Sequence, residues 1–199
     1  MSRVSDDAKR GLRRQLLTER RGLDAAAVAE ASRAVVATLR ALPELSQPER
    51  PLGVLLYAAD PDEVCLDELL AAPPDGWRVL LPRVVGEGIE VVAHLPGAEL
   101  VAGAYGVREP VGPALGHEAI DAVVVPGVAF TPDGERLGRG GGFYDRLLAA
   151  RGPVRTVGVC MERFVLDELP RSPHDAAVDM VVTDASIRRR SAPAGAGPA

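Results

Sequence analysis

Lysine is nearly absent from this sequence: of its 23 basic residues, 22 are arginine and Lys9 alone is lysine. A chain that writes its cations as arginine and keeps one compact ammonium marks Lys9 as a residue to follow. Cysteine is scarce too. Cys65 and Cys160 stand far apart, without metal-ligand spacing, and read as two reduced thiols in or near the core. The three histidines, His94, His117 and His174, form no HxxxH or HxH pair, which argues against a zinc site. Aromatic residues make up 4% and the net charge is −5, a poor composition for a nucleic-acid binder or a cationic membrane-surface protein. No apolar run approaches the roughly 20 residues of a membrane span. The opening MSRVSDDAKRGLRRQLL contains no signal-peptide core. The expectation is a cytoplasmic monomer without nucleic-acid or membrane partners.

What remains is ordinary for a folded protein: 47% hydrophobic and 26% charged residues, enough to bury a core. The length of 199 residues suits one domain. Residues 5–21 read as an amphipathic helix with Ser5 as cap, Asp6 and Asp7 in the first turn, and Ala8, Leu12 and Leu16 on one face. Lys9 and Arg13, four apart, project from one side. Asp24 opens a second helix over 24–42, stopped by Pro43. Strand-like runs follow at Val54–Tyr57, Arg78–Arg83, Ile89–Leu95, Asp121–Val125, 154–160 and 178–183, with GEG joining the second and third as a hairpin or tight crossover. Between them lie a short helix over 63–71, a long Gly- and Pro-rich loop over Gly97–Gly116, a Gly-rich loop over 131–142, a helix near 143–150, and a helix or turn near 162–169. Strands alternating with helices imply an α/β fold, a three-layer α/β/α sandwich around a largely parallel or mixed sheet. A single domain over 1–187 is expected, with residues 188–199, RRRSAPAGAGPA, as a disordered tail.

The most informative stretch is VVVPGVAFTPDGERLGRGGGFYDRLLA, residues 123–149: buried strand, loop, Gly-dense turn, helix. Gly138, Gly140, Gly141 and Gly142 let the backbone curl with its N–H groups toward an anion. The following helix adds the positive end of its dipole. Arg136 and Arg139 flank the turn and suit phosphate oxygens, and Asp145 offers a hard carboxylate suited to Mg²⁺. No lysine follows the glycines, so the loop is not a P-loop. Nor does it sit in the chain as a dinucleotide fingerprint would.

The segment RLGRGGGFYDR resembles the signature of the 5-formyltetrahydrofolate cyclo-ligase family. Further likenesses occur in matching order: KRGLR at Lys9–Arg13, ADPDEV at Ala59–Val64, VLLPRV at Val79–Val84, Arg108-Glu109-Pro110 after Gly106, and a closing pattern of Pro170, His174-Asp175 and VDMVVTD from Val178. The likeness spans roughly residues 8–184. It implies an enzyme that uses ATP and Mg²⁺ to turn 5-formyltetrahydrofolate into 5,10-methenyltetrahydrofolate with release of ADP and phosphate.

Carried over residue by residue, the resemblance implies ATP contacts at Lys9 and Arg13 and along Arg136, Leu137, Gly138, Arg139, Gly140, Gly141, Gly142, Phe143 and Tyr144. It implies charge stabilisation during transfer by Arg136 and Arg139, folate contacts at Ala58, Glu63 and Tyr144, and magnesium ligation by Asp145 and Asp179. Phe143 stands where a tyrosine is common, and Arg139 where lysine or an aromatic is frequent. Trp77 reads as a structural anchor. Two other readings compete: a non-catalytic folate- or nucleotide-binding relative of the same fold, and a sugar-phosphate isomerase or CoA-transferase type, for which Glu109 is the loop acid available.

Overall fold

A computed structural model describes residues 2–46, 50–172 and 175–191 of the chain. Helix α1 runs Ser2–Arg21 and α2 runs Ala25–Ala41. The first begins earlier than the sequence suggests, so Ser5 lies inside the helix rather than capping it, because nothing between residues 2 and 5 breaks the helical backbone. The second starts where expected: the Asp24 carboxylate accepts the Ala26 N–H at 2.9 Å, satisfying one of the free donors of the first turn. The last turn of α1 lays the buried Arg20 guanidinium over the Phe164 ring, 5.1 Å from its centroid.

The strands are β1 Leu52–Leu55, β2 Trp77–Val85, β3 Gly88–Ala93, β4 Leu100–Ala102, β5 Arg108–Pro110, β6 Ala114–Leu115, β7 Ala122–Pro126, β8 Ala129–Phe130, β9 Arg136–Leu137, β10 Arg155–Val159, β11 Met180–Val182 and β12 Ile187–Arg189. Helix α3, Asp67–Ala71, follows β1, and α4, Phe143–Arg151, follows β9. Eight strands form one sheet in the order β12-β11-β10-β7-β1-β2-β3-β6. The five central strands are parallel, and β12, β3 and β6 add antiparallel edges. All of β1 is buried, as is β7 up to Pro126. Successive strand residues point to opposite faces, so burial of both sets means that both faces of the sheet are covered. The expected α/β sandwich with a mixed sheet is therefore the fold.

Local departures have clear causes. The Gly97–Gly116 stretch is not one loop: β4 and β5 pair with each other, and β6 joins the large sheet beside β3. The Gly-rich segment is split by β9, which folds back on β8. Gly134 closes that hairpin at φ +81, and its carbonyl accepts the Val178 N–H at 2.8 Å, stapling the hairpin to the chain leading into β11. The 63–71 helix shrinks to α3, and Glu63 lies instead in a turn in which its own N–H bonds the Asp60 carbonyl. Arg188 and Arg189, assigned to a disordered tail, belong to β12 and form ion pairs with Glu162 and Glu44. Residues 192–199 and His174 lie outside the described residues. Trp77 opens β2, and its indole N–H donates to the Leu45 carbonyl at 2.7 Å. Among the described residues no helix is long and apolar enough to cross a membrane.

Candidate active site

Parallel sheets leave a crevice beyond the carboxyl ends of their strands where the connections leave in opposite directions. Here that point lies between β1, whose chain continues to β2 on one side, and β7, whose chain continues to β10 on the other. A cavity of about 670 Å³ opens there, floored by Tyr57 and Ala58 after β1 and by Pro126 and Gly127 at the end of β7. The glycine segment wraps it. Gly140 and Gly142 hold φ values of +108 and +66, which a residue with a side chain rarely adopts. Gly142 passes directly into α4, whose first turn has no side-chain cap, so its free N–H groups face a site for an anion.

Cations converge on this loop from distant parts of the chain. Arg13 Nε donates to the Gly138 carbonyl at 2.6 Å, tying α1 to the loop 125 residues away. Burial lowers the Arg13 guanidinium below its ordinary range, with Asp175 working the other way. Lys9 Nζ donates to Ser172 Oγ at 2.8 Å and to Asp175 Oδ2 at 2.5 Å. Arg136, with a side chain only 5% exposed, pairs with Asp145 at 2.7 Å, while its Nε is buried without a partner. Arg146 reaches back to the Gly141 carbonyl at 2.7 Å and lies over the Phe143 ring, holding the loop onto the first turn of α4.

The opposite wall is acidic. Glu63 is buried, and its two carboxylate oxygens accept from Arg139 Nε at 2.9 Å and from the Asp60 N–H at 3.1 Å. Arg139 also meets Asp62 at 2.7 Å and Asp60 at 3.1 Å. Burial works to lower the Arg139 guanidinium, and the Glu63 and Asp62 carboxylates outweigh it, so it titrates above its ordinary value. The Tyr144 hydroxyl is buried with no hydrogen-bond partner. Its burial, then the negative charge of Glu63, keep that phenol protonated well above the usual tyrosine range.

Every site residue expected from the sequence lines this cavity except Asp179. Asp179 Oδ2 accepts from the Thr156 N–H and hydroxyl at 2.8 and 2.9 Å, at the amino end of β10. That is the opposite edge of the parallel strands from the cavity, so the structure does not bring Asp179 to Asp145 and the metal assignment of Asp179 fails on position. Asp145 does face the site; its Oδ1 accepts from Arg136 and from the Ala176 N–H, and among the described residues no hydrogen bond engages Oδ2. Among the described residues no cluster of three or more His, Cys, Asp or Glu could hold a metal. Mg²⁺ needs no such cage, since it commonly binds one or two carboxylates together with phosphate oxygens and water. The free oxygen of Asp145 fits that demand.

Several lining residues were given no role by the sequence. Asp175 was visible only as a motif letter, and its partner Lys9 is 166 residues away. Tyr105, 80% exposed at the cavity mouth, holds a left-handed φ of +58 and packs its ring 5.8 Å from that of Phe143. Strained backbone of this kind is often kept where a ligand is clamped, but no local sequence signal marks it. Glu109, by contrast, is the loop acid of the isomerase or CoA-transferase reading; it is buried in the wall, with Oε1 accepting the Val84 N–H at 3.1 Å.

Similarity to known proteins covers most of this architecture. The 5-formyltetrahydrofolate cyclo-ligase family matches residues 5–184. A 5-formyltetrahydrofolate cyclo-ligase of Mycolicibacterium smegmatis is 36% identical over an alignment 194 residues long that covers 90% of this chain and 95% of that one. The NMR structure of Aquifex aeolicus 5,10-methenyltetrahydrofolate synthetase superposes with a TM-score of 0.79 at 35% identity, covering 96% of this chain and 97% of that one. A 5,10-methenyltetrahydrofolate synthetase from Mycoplasma pneumoniae, 24% identical, shares the fold with a TM-score of 0.68 over 88% of this chain and 98% of its own. The match runs from α1 past β11 and takes in each segment that builds the cavity: this chain belongs to the 5-formyltetrahydrofolate cyclo-ligase family.

Proposed function

We propose that this protein converts 5-formyltetrahydrofolate to 5,10-methenyltetrahydrofolate, using ATP with Mg²⁺ and releasing ADP and phosphate. The chemical obstacle is the formyl oxygen, which leaves poorly as it stands. Transfer of the terminal phosphoryl group of ATP to that oxygen makes it a leaving group. The N10 lone pair then forms a bond to the formyl carbon, N10 gives up its proton, and phosphate departs with the C–O bonding pair, closing the five-membered ring. Such a transfer asks for positioning and charge neutralisation rather than a nucleophilic side chain.

The residues divide along those lines. Lys9, Arg13 and the open first turn of α4 hold the phosphates, and the glycines let the backbone approach them. Arg136 and Arg139 balance the charge that moves from ATP to the formyl oxygen. Glu63 accepts from the N–H edge of the pterin, with Ala58 beneath it, and the unpartnered Tyr144 hydroxyl is a donor for the substrate. Asp145 would hold Mg²⁺ through its free oxygen, and the ion, when bound, would neutralise phosphate charge.

The observation that carries this reading is the gathering of Lys9, Arg13, Arg136 and Glu63, from three separated segments, around Gly138–Gly142 in one crevice. The test is direct. Purified protein mixed with 5-formyltetrahydrofolate, ATP and Mg²⁺ develops the ultraviolet absorbance of the methenyl product, and omission of ATP abolishes it. Folded protein that gives no such signal with intact substrate would refute the proposal.

A further inference from the structure

The two groups that the proposed chemistry needs free are bound to each other. Glu63 is to receive the pterin edge, yet Arg139 Nε occupies one of its oxygens at 2.9 Å and the Asp60 N–H the other at 3.1 Å. Arg139 is to balance charge on the moving phosphoryl group, yet its Nη2 is held by Asp62 at 2.7 Å and by Asp60 at 3.1 Å. One guanidinium thus bridges three carboxylates of a four-residue turn, from the midst of a loop whose glycines at 140 and 142 lie in left-handed backbone. Asp62 is well placed to hold it: its side chain is 14% exposed, and its other oxygen, Oδ2, is buried without a partner.

We propose that Arg139 and the Asp60–Glu63 turn form a substrate-responsive latch, which the pterin opens by displacing Arg139 from Glu63 and so delivers the guanidinium to the phosphates only when folate is present. The inference rests on the function proposed above, specifically on the pterin binding Glu63. Each Glu63 oxygen keeps a second lone pair, but the Arg139 ion pair neutralises the charge that a strong bidentate N–H edge draws on, so the edge and the guanidinium compete for the same carboxylate. The pterin edge can replace Arg139 at Glu63 with two charge-assisted hydrogen bonds of its own. The displaced cation, on a glycine-jointed loop, then finds its next anion in the nucleotide. Folate binding and phosphoryl transfer are coupled through one side chain, and ATP is guarded from attack by water while the folate site is empty.

A latch lowers apparent affinity, because part of the binding energy goes into opening it. Removing its receptor should therefore tighten folate binding, the reverse of what loss of a structural residue does. Calorimetric titration of the intact protein with 5-formyltetrahydrofolate, without nucleotide, measures this for the wild type, Asp62→Asn and Arg139→Gln. Both variants should bind folate about five-fold more tightly, the factor expected for one half-exposed ion pair. Asp62→Asn should also release ADP faster than the wild type when folate is left out, whereas Arg139→Gln should not. Unchanged or weaker folate binding in both folded variants, alongside a wild type that makes methenyl product, overturns the latch and leaves the enzyme reading standing. A wild type that neither binds folate nor turns it over overturns both.

Discussion

Arg136 and Asp145 face each other across 2.7 Å, the first nearly out of solvent and the second open to the cavity through one oxygen. The pair joins the end of β9 to the first turn of α4, and so fixes the two ends of the glycine loop against each other. Replacing Arg136 with lysine keeps a charge but loses the planar fork that spans Asp145 and the phosphate side. The expected result is a kcat lower by about 100-fold, as for loss of one preorganised donor at a transferring group, with a much smaller change in the folate KM. Steady-state kinetics with each substrate varied in turn checks this.

Lys9 and Glu63 stand on opposite walls of the same cavity, one anchored by Asp175 and the other in the Asp60 turn. Lys9→Ala should raise the apparent KM for ATP by about ten-fold, the order expected for a lost charge-assisted contact. Glu63→Ala should act on the folate constant instead. If both substitutions raised the same constant, the division of the cavity into a nucleotide wall and a folate wall would be wrong.

Gly134 combines a left-handed φ of +81 with a position where an added Cβ would run into the Val178 carbonyl oxygen. Gly134→Ala should destabilise the fold by about 2–3 kcal/mol, the backbone conformation and the close approach acting together. The clash is with main chain, which cannot swing away as a side-chain tip can. Urea unfolding followed by circular dichroism reads the loss, and a variant as stable as the wild type would contradict the hairpin staple.

Glu162 predicts acid behaviour. Its hydrogen bond from Arg188, helped by the hydroxyls of Thr183 and Ser186, holds its carboxyl at about 2, against the ordinary 4.5. The folded value is the lower one, so the stabilisation is present above the unfolded value and is lost as pH falls from about 4.5 through about 2. Glu162→Gln should flatten the stability curve in that window and leave the slope near neutral pH unchanged. Thermal unfolding measured from pH 2 to 7 tests it.

The legible parts of this chain were those whose physics is local. The apolar run ending at Pro126 reads as a doubly buried strand because both faces of β7 are covered, and Asp24 reads as a cap because it bonds its own helix. The segment from Arg136 to Asp145 announced an anion site through its glycines and arginines, and those residues do line one cavity. The illegible parts depend on partners far along the chain. Strands as short as β6 have almost no periodicity to detect and exist because β3 lies beside them. Glu63 looked like an early helix residue, but its own carboxylate bonds back to the Asp60 N–H and holds a turn. Asp179 carried the right chemistry for a metal, and only the register of β10 and β11 reveals that it sits at the wrong end of the sheet.

Trp77 is the lone tryptophan, and it lies where the parallel strands begin, its indole clasped to Leu45, while the cavity opens where they finish. Its emission is therefore a gauge of whether the sheet is intact, and it has no direct contact with whatever fills the crevice. Any change that a ligand titration produces in this fluorophore must therefore arrive through space or through the sheet, and heat is the more direct record of occupancy.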